Sequence, residues 1–396
     1  MTATQPKQHD STALLPDAGM LRVGPAPHWH VMPGILQLTA SFALAAAALA
    51  VSGLALFGWY TVRVLAISVG VALLVESALN TIKGSSSSWS ESHALLIGLL
   101  FGCTLPPMVS WRVVAVGAAV AVLVGQTLAG GIGNYLWHPV ALARVTVQIL
   151  FASDMNPARW PVLAPEHLFW GSLDRAEPLP ALSTWATATP SSPGVQAWLM
   201  PSVERLLCEP LTATESQPAS AIAAFVRDQA PPWWDTLTGV AGGAIGEASV
   251  AAALAVACLL AWRGLLRWPM VFAAIGAAAF TACIFPVRTH ATGAPVALCP
   301  LPGFAFWNGL PVGAAYVLYQ MTAGGFPFVV LLLASDPASS PLASRGHALF
   351  GAIIGCATIL LRVGLGVPAA VYWALLIANT LVPAIDRMTR RRVLGT

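Results

Sequence analysis

The chain carries ionisable side chains inside apolar runs: Glu76, Glu91, Arg144, Glu247, Asp336 and Arg362. A charge in lipid costs several kcal/mol, so each is a candidate for ion or proton handling, ligand binding or pairing. Position sorts them. Arg362 and Glu91 read as helix-end residues that snorkel or cap, and Glu76 lies near an end of its run. Glu247 follows "GGAIG", where glycines let the backbone approach a ligand. Arg144 closes "GQTLAGGIGNYLWHPVALAR", residues 125–144. There Gly130, Gly131 and Gly133 remove side chains, and Pro139 stands where a helix begins. Such a junction presents free N–H groups to an anion, a phosphate or a flavin ring oxygen. His138 precedes the proline. "LLASDPASSP", residues 332–341, is a similar junction holding Asp336.

These residues need a membrane scaffold. The 396 residues are 57% hydrophobic and 9% charged, against about 25% charged in soluble domains. The net charge of +3 gives no footprint for nucleic acid. Apolar segments run over about 33–53, 58–79, 93–107, 111–128 and 138–153, then 237–262, 268–285, 304–333, 347–363 and 367–385. Lipid leaves backbone groups unpaired unless they form helices. The expected fold is therefore an all-α polytopic membrane protein of about ten transmembrane helices. "AGGFPF" breaks the 304–333 run and predicts a discontinuous helix.

The domain plan is a cytoplasmic tail (1–30), a first five-helix repeat (31–153), an extramembrane loop (154–236), a second five-helix repeat (237–386) and a basic tail (387–396). The first apolar run, from Pro33, reads as a signal anchor. Arg263, Arg267, Arg345, Lys83 and Arg387–Arg392 place both termini on the cytoplasmic side, with Arg112 and Arg288 against the pattern. The long loop and residues 286–303 then face outward. "WSESHALLIGLL" and "IGEASVAAALAV", with their Trp-Arg and Arg-Trp turns, suggest internal symmetry. Cys103, Cys258, Cys283 and Cys356 read as packing residues. Cys208 and Cys299, in outward loops, leave a disulfide open.

"SHALLIGLLFGCTLPP", "GGIGNYLWHPVALAR", "GGAIGEAS", "ASDPASSP", "RGHALFGAIIG" and "ANTLVPAIDRMTRRR" resemble, in order, the D subunit of Rnf electron-transport complexes. They are also similar to the B subunit of the sodium-translocating NADH:quinone reductase. The likeness runs from Pro27 to Arg392. It departs at His138, where the family usually has Asn. It implies an inner-membrane subunit that passes electrons between NADH- or ferredoxin-side partners and couples this to Na⁺ or H⁺ movement. It implies partner subunits, FMN joined by phosphoester to a loop threonine, a flavin transferase that makes the bond, and a second, non-covalent flavin (riboflavin or FMN). His138, Gly131, Gly133, Glu247 and Asp336 are the candidates to hold that second flavin.

Two threonines compete for the ester. The family pattern is approximately Asp-Gly-x-Ser/Thr-Gly-Ala-Thr, often followed by Pro-Leu. "STWATATP" ends on Thr189 and keeps Ala188 and Pro190, with Ser183 at the Asp position. "CEPLTATE" holds Thr214 and Ala213, with Cys208 at that position. Thr214 lies 32 residues before Gly246 and Thr189 lies 57 before it. The family spacing favours Thr214, and local sequence favours Thr189. A solute or ion carrier without redox role, and a structural subunit lacking covalent FMN, stand as alternatives.

Overall fold

A computed structural model describes residues 34–83, 93–128, 135–155, 207–208, 211–212, 230–231, 233–239, 243–291, 294–298, 306–307 and 310–389. The chain divides into two units, Met1–Leu38 and Thr39–Thr396. Of the first, only the start of α1 (Ile35–Phe57) is described. All packing below concerns the second.

The helices follow the apolar segments closely. After α1 come α2 (Trp59–Lys83), α3 (His93–Cys103), α4 (Trp111–Val120, continued by the wide, π-helical turns of Ala121–Leu128) and α5 (Pro139–Leu150). The later part has the short α6 (Trp233–Thr238), α7 (Val250–Trp262), α8 (Trp268–Ile284), α9 (Val312–Thr322), α10 (Phe326–Phe328, continued π-helically over Val329–Leu333), α11 (Ser344–Ile359, continued over Leu360–Gly364) and α12 (Ala370–Thr389).

Boundaries depart from the apolar segments where turn chemistry overrides hydropathy. The 237–262 run becomes helical only at Val250, where the Ser249 side chain caps the Ala252 N–H after a glycine-rich stretch. The 304–333 run opens with strands. Phe306–Trp307 (β4) pairs antiparallel with Leu310–Pro311 (β5). Leu211–Thr212 (β1) runs parallel to Val287–Ala291 (β2), which pairs antiparallel with Ala294–Leu298 (β3). The expectation of a helical membrane fold is borne out, and the short strands lie between the apolar helices, at Leu211–Thr212 and within residues 287–311.

Among the described residues, three helical stretches are long and apolar enough to cross a membrane: Leu36–Phe57, Trp59–Ile82 and Ser344–Gly364. The pair Gly313–Thr322 and Phe326–Leu333, bent by 58°, makes a fourth. This is the discontinuous helix expected from "AGGFPF". Gly324 and Gly325 have φ of 63° and 70°, a conformation that only glycine adopts without cost, and Pro327 restarts the helix.

Close backbone approach holds the bundle. Within lipid there is no hydrophobic drive between helices, so small residues and van der Waals contact carry association. On α11, Gly351 and Gly355 lie against the Met270 and Ala274 backbone of α8. On α3, Gly98 meets the α2 backbone, where a Cβ would lie 2.9 Å from Val69 Cα; the Ser68 hydroxyl donates to the Gly98 carbonyl at 2.6 Å. Packing partners recur along the chain: α2 contacts α3 and α4, and α4 contacts α5; α8 contacts α9 and α11, and α11 contacts α12.

This packing makes a direct prediction. Gly355→Leu forces α8 and α11 apart and lowers stability by about 1–3 kcal/mol. Gly276→Ala, where an added Cβ meets nothing within 4 Å, leaves it unchanged. The check is the thermal midpoint of the detergent-solubilised protein, followed by size-exclusion chromatography.

Candidate functional site

Two of the junctions singled out in the sequence come together. Asp336 follows the π-helical end of α10, and its Oδ1 accepts from the Ala338 N–H at 3.3 Å, an Asx turn that fixes the carboxylate. The Tyr135 hydroxyl donates to Asp336 Oδ2 at 2.5 Å. His138 Nε2 lies 3.8 Å from the same oxygen. His138 is the residue before α5 and is 4% exposed. Its backbone N–H donates to the Asn379 side-chain oxygen of α12 at 2.9 Å, while the Asn379 amide nitrogen donates to the Ser339 carbonyl at 3.1 Å. This amide orientation is the one that satisfies both groups. Trp137 adds an indole N–H bond to the Thr380 hydroxyl at 2.9 Å.

The cluster is polar beyond its own needs. Among the described residues, His138 Nδ1, His93 Nδ1 and the Ser339 and Ser340 hydroxyls are buried and find no hydrogen-bond partner. Buried polar groups are nearly always paired, so this concentration fits a polar ligand. His93, at the start of α3, interacts electrostatically with both Asp336 and His138.

Glu247 belongs to a different place. The Ile245 N–H donates to the Leu105 carbonyl at 3.0 Å, and the Gly246 N–H to the Cys103 carbonyl at 2.7 Å. The glycines before Glu247 therefore approach the protein's own interrupted helix: a Cβ on Gly246 would lie 2.7 Å from Cys103 Cβ. On the other side a Cβ on Gly325 would lie 2.6 Å from the Glu247 carboxyl carbon and 2.8 Å from each carboxylate oxygen. The Tyr372 hydroxyl of α12 donates to Glu247 Oε1. The carboxylate thus stands between the end of α3 and the α9–α10 break.

Each break is held by a buried arginine. Arg144 is 1% exposed; its Nε donates to the Thr104 carbonyl at 3.1 Å and Nη1 to Gln148 Oε1 at 2.7 Å. Its guanidinium carbon is 5.6 Å from the Tyr372 ring centre. Arg362 is fully buried, and the expectation that it snorkels or caps a helix end is corrected. Its Nη1 donates to the Gln320 carbonyl at 2.8 Å and to Gln320 Oε1 at 3.1 Å, and Nη2 to the Ala323 carbonyl at 3.0 Å. It faces inward because the α9 break frees carbonyls that lipid cannot satisfy.

The sequence candidates therefore divide. His138 and Asp336 meet; Glu247 lies apart from them at the breaks. Gly131, Gly133, Thr189, Thr214, Glu91 and Cys299 lie outside the described residues. The Cys208 thiol contacts the Val367 carbonyl at 3.6 Å. Sequence reading missed Tyr135, Asn379 and Tyr372. All are polar residues in or beside apolar helices, and that is the signal that could have found them.

The model of the NQR2, RnfD, RnfE family matches residues 22–395. The chain belongs to that family. A relative from Halorhodospira halophila, named as the D subunit of an ion-translocating oxidoreductase complex, is 28% identical, covering 93% of this chain and 94% of its own. Proteins of the same name from Yersinia enterocolitica (27%; 86% and 88%) and Shigella dysenteriae (27%; 95% and 99%) are similar over comparable lengths. The family match thus contains the cluster, both breaks and both buried arginines.

In this family member the Asn379 amide joins α5 to the Asp336 loop, so its loss is costly. Asn379→Ala orphans the His138 N–H and the Ser339 carbonyl and costs about 1–3 kcal/mol for each group. Asn379→Asp keeps an acceptor for His138 and loses less. Thermal unfolding of the two purified variants, each against the unaltered protein, measures the difference.

Proposed function

We propose that this chain is the flavin-carrying membrane subunit of an Rnf-like ion-translocating oxidoreductase complex. It passes electrons between NADH- or ferredoxin-side partners and couples the transfer to Na⁺ or H⁺ movement. The observation that carries the reading is the His138–Asp336 cluster, where elements from both halves of the chain converge around buried polar atoms without partners. The reading includes ten spans in two five-helix repeats, an inner-membrane location, both termini cytoplasmic, and assembly with other subunits. The recurring packing of α2–α5 and α8–α12 supports the repeats.

The reading includes two flavins. His138, Ser339, Ser340 and Asp336 would hold the non-covalent one, with Gly131 and Gly133 leading into the same junction. His138 and the serines offer hydrogen bonds to a ring edge, and Asp336 orients Tyr135 beside them. The covalent FMN would be on Thr214. Pairing of Leu211 with Thr289 and of Thr212 with His290 ties the chain two residues before Thr214 to the β2–β3 hairpin. The flavins supply the electron chemistry. The chain's part is to position them, exclude lipid and water from the buried cluster, and guide a cation.

The decisive measurement is flavin fluorescence of the denatured protein in a gel, after co-expression with its flavin transferase. Thr214→Val abolishes the signal and Thr189→Val keeps it. The reverse result moves the ester to Thr189. No fluorescence from the unaltered protein leaves a structural subunit without covalent FMN. Solute flux uncoupled from NADH or ferredoxin oxidation would make the chain a carrier.

A further inference from the structure

The geometry points to Glu247 as the carboxylate that binds the translocated monovalent cation, Na⁺ or H⁺, part-way across the chain; this rests on the ion-translocating reading above. Three observations converge on it. First, its carboxylate stands against the Gly324–Gly325 break, in the middle of an apolar stretch otherwise able to span a membrane. Second, the backbone that carries it is pinned to the end of α3 by the Gly246 and Ile245 N–H groups, so the end of α3 and the α9–α10 break come together at this side chain. Third, Tyr372 brings a hydroxyl onto the carboxylate from α12. Discontinuous helices in membrane carriers place ion and substrate sites at such meetings of two halves.

The surroundings select a monovalent ion. Among the described residues no group of three His, Cys, Asp or Glu could hold a metal ion, and a divalent cation demands several oxygen ligands. One carboxylate with a phenol suffices for a proton; Na⁺ would complete its shell with water or backbone carbonyl oxygens around the same carboxylate. Among the described residues, the charged and titratable groups around it include Cys103 from α3, which interacts with Glu247 electrostatically, Tyr372 from α12, and Arg144 from α5 across the Tyr372 ring. Arg362 is one contact further, through the Ala323 carbonyl two residues before Gly325. Two nearby guanidinium groups weaken cation binding without abolishing it, and a transported ion must also be able to leave.

The test uses the assembled complex in inverted membrane vesicles. A hydrophobic carbodiimide, dicyclohexylcarbodiimide, is expected to modify Glu247, read by mass spectrometry of the digested subunit. Saturating Na⁺ at fixed pH slows the modification at least fivefold if Na⁺ is the ion; if the proton is, only raised pH slows it. Glu247→Gln lowers the cations moved per electron at least tenfold, and Glu247→Asp restores part. Gly325→Ala, which pushes a methyl into the carboxylate, lowers the same ratio with Glu247 in place. Absence of modification at Glu247, modification indifferent to both Na⁺ and pH, or an unchanged ratio in Glu247→Gln overturns the assignment. If Glu247→Gln does not assemble, the carbodiimide measurement on the unaltered complex decides alone. A complex that transfers electrons and moves no cation overturns the proposed function itself; a pumping complex indifferent at Glu247 overturns only this inference.

Discussion

A helix that stops inside a bilayer leaves carbonyl groups that lipid cannot satisfy, and this constraint organises the molecule. The α9–α10 break frees the Gln320 and Ala323 carbonyls, and Arg362 collects both. The end of α3 frees the Thr104 carbonyl, and Arg144 collects it. Hydrogen bonds to a charged group contribute about 1.5–3 kcal/mol each. Burying the ion costs several kcal/mol. The two terms are of similar size, so the arginines add little net stability. Their effect is geometric: a planar fork fixes the broken ends, and what lies at those ends acquires a defined position.

Glycine completes the arrangement in a second way. Where helices carry it, as at Gly98 or Gly355, it lets backbones touch, and dispersion replaces the missing hydrophobic drive. Where the chain breaks, as at Gly325, it makes room for a carboxylate that any side chain would displace. Dense packing from the first use gives rigidity to the second. The polar interior is then distributed between two places, the His138–Asp336 cluster and the Glu247 breaks. Elements from both halves reach each of them, so a relative shift of the halves alters both together.

Much of this was legible in the sequence. Hydropathy marked the helices, because lipid leaves no other backbone solution, and Gly-Gly-Phe-Pro marked the break. The junctions around His138 and Asp336 were visible as glycine- and proline-punctuated turns. What was not legible followed from tertiary placement. Arg362 near a helix end is indistinguishable in sequence from a snorkelling arginine; only the freed carbonyls of a helix 42 residues earlier decide its direction. The glycines before Glu247 suggested a ligand, and they serve contact with Cys103. The strands β2 and β3 lie in a stretch read only as an outward loop, and β4 and β5 were hidden in the start of the 304–333 run, whose composition reads as apolar. The short likeness between "WSESHALLIGLL" and "IGEASVAAALAV" pairs α3 with α7, whereas the recurring packing pairs α3 with α9.

That last difference bears on how the two halves could act together. If α3 and α9 are equivalents, the end of α3 and the α9–α10 break occupy the same place in their halves, and Glu247 lies where they meet. Each is held by an arginine from a later helix, Arg144 on α5 and Arg362 at the end of α11. The holding residues are therefore not equivalent by position, although the problem they solve is the same. The fastening differs in kind: three bonds from Arg362 at the α9–α10 break, and at the end of α3 one backbone bond from Arg144 together with the Ile245 and Gly246 N–H bonds. Glu247 is thereby fixed from both sides, through its own backbone at the end of α3 and by the space that Gly325 leaves at the α9–α10 break.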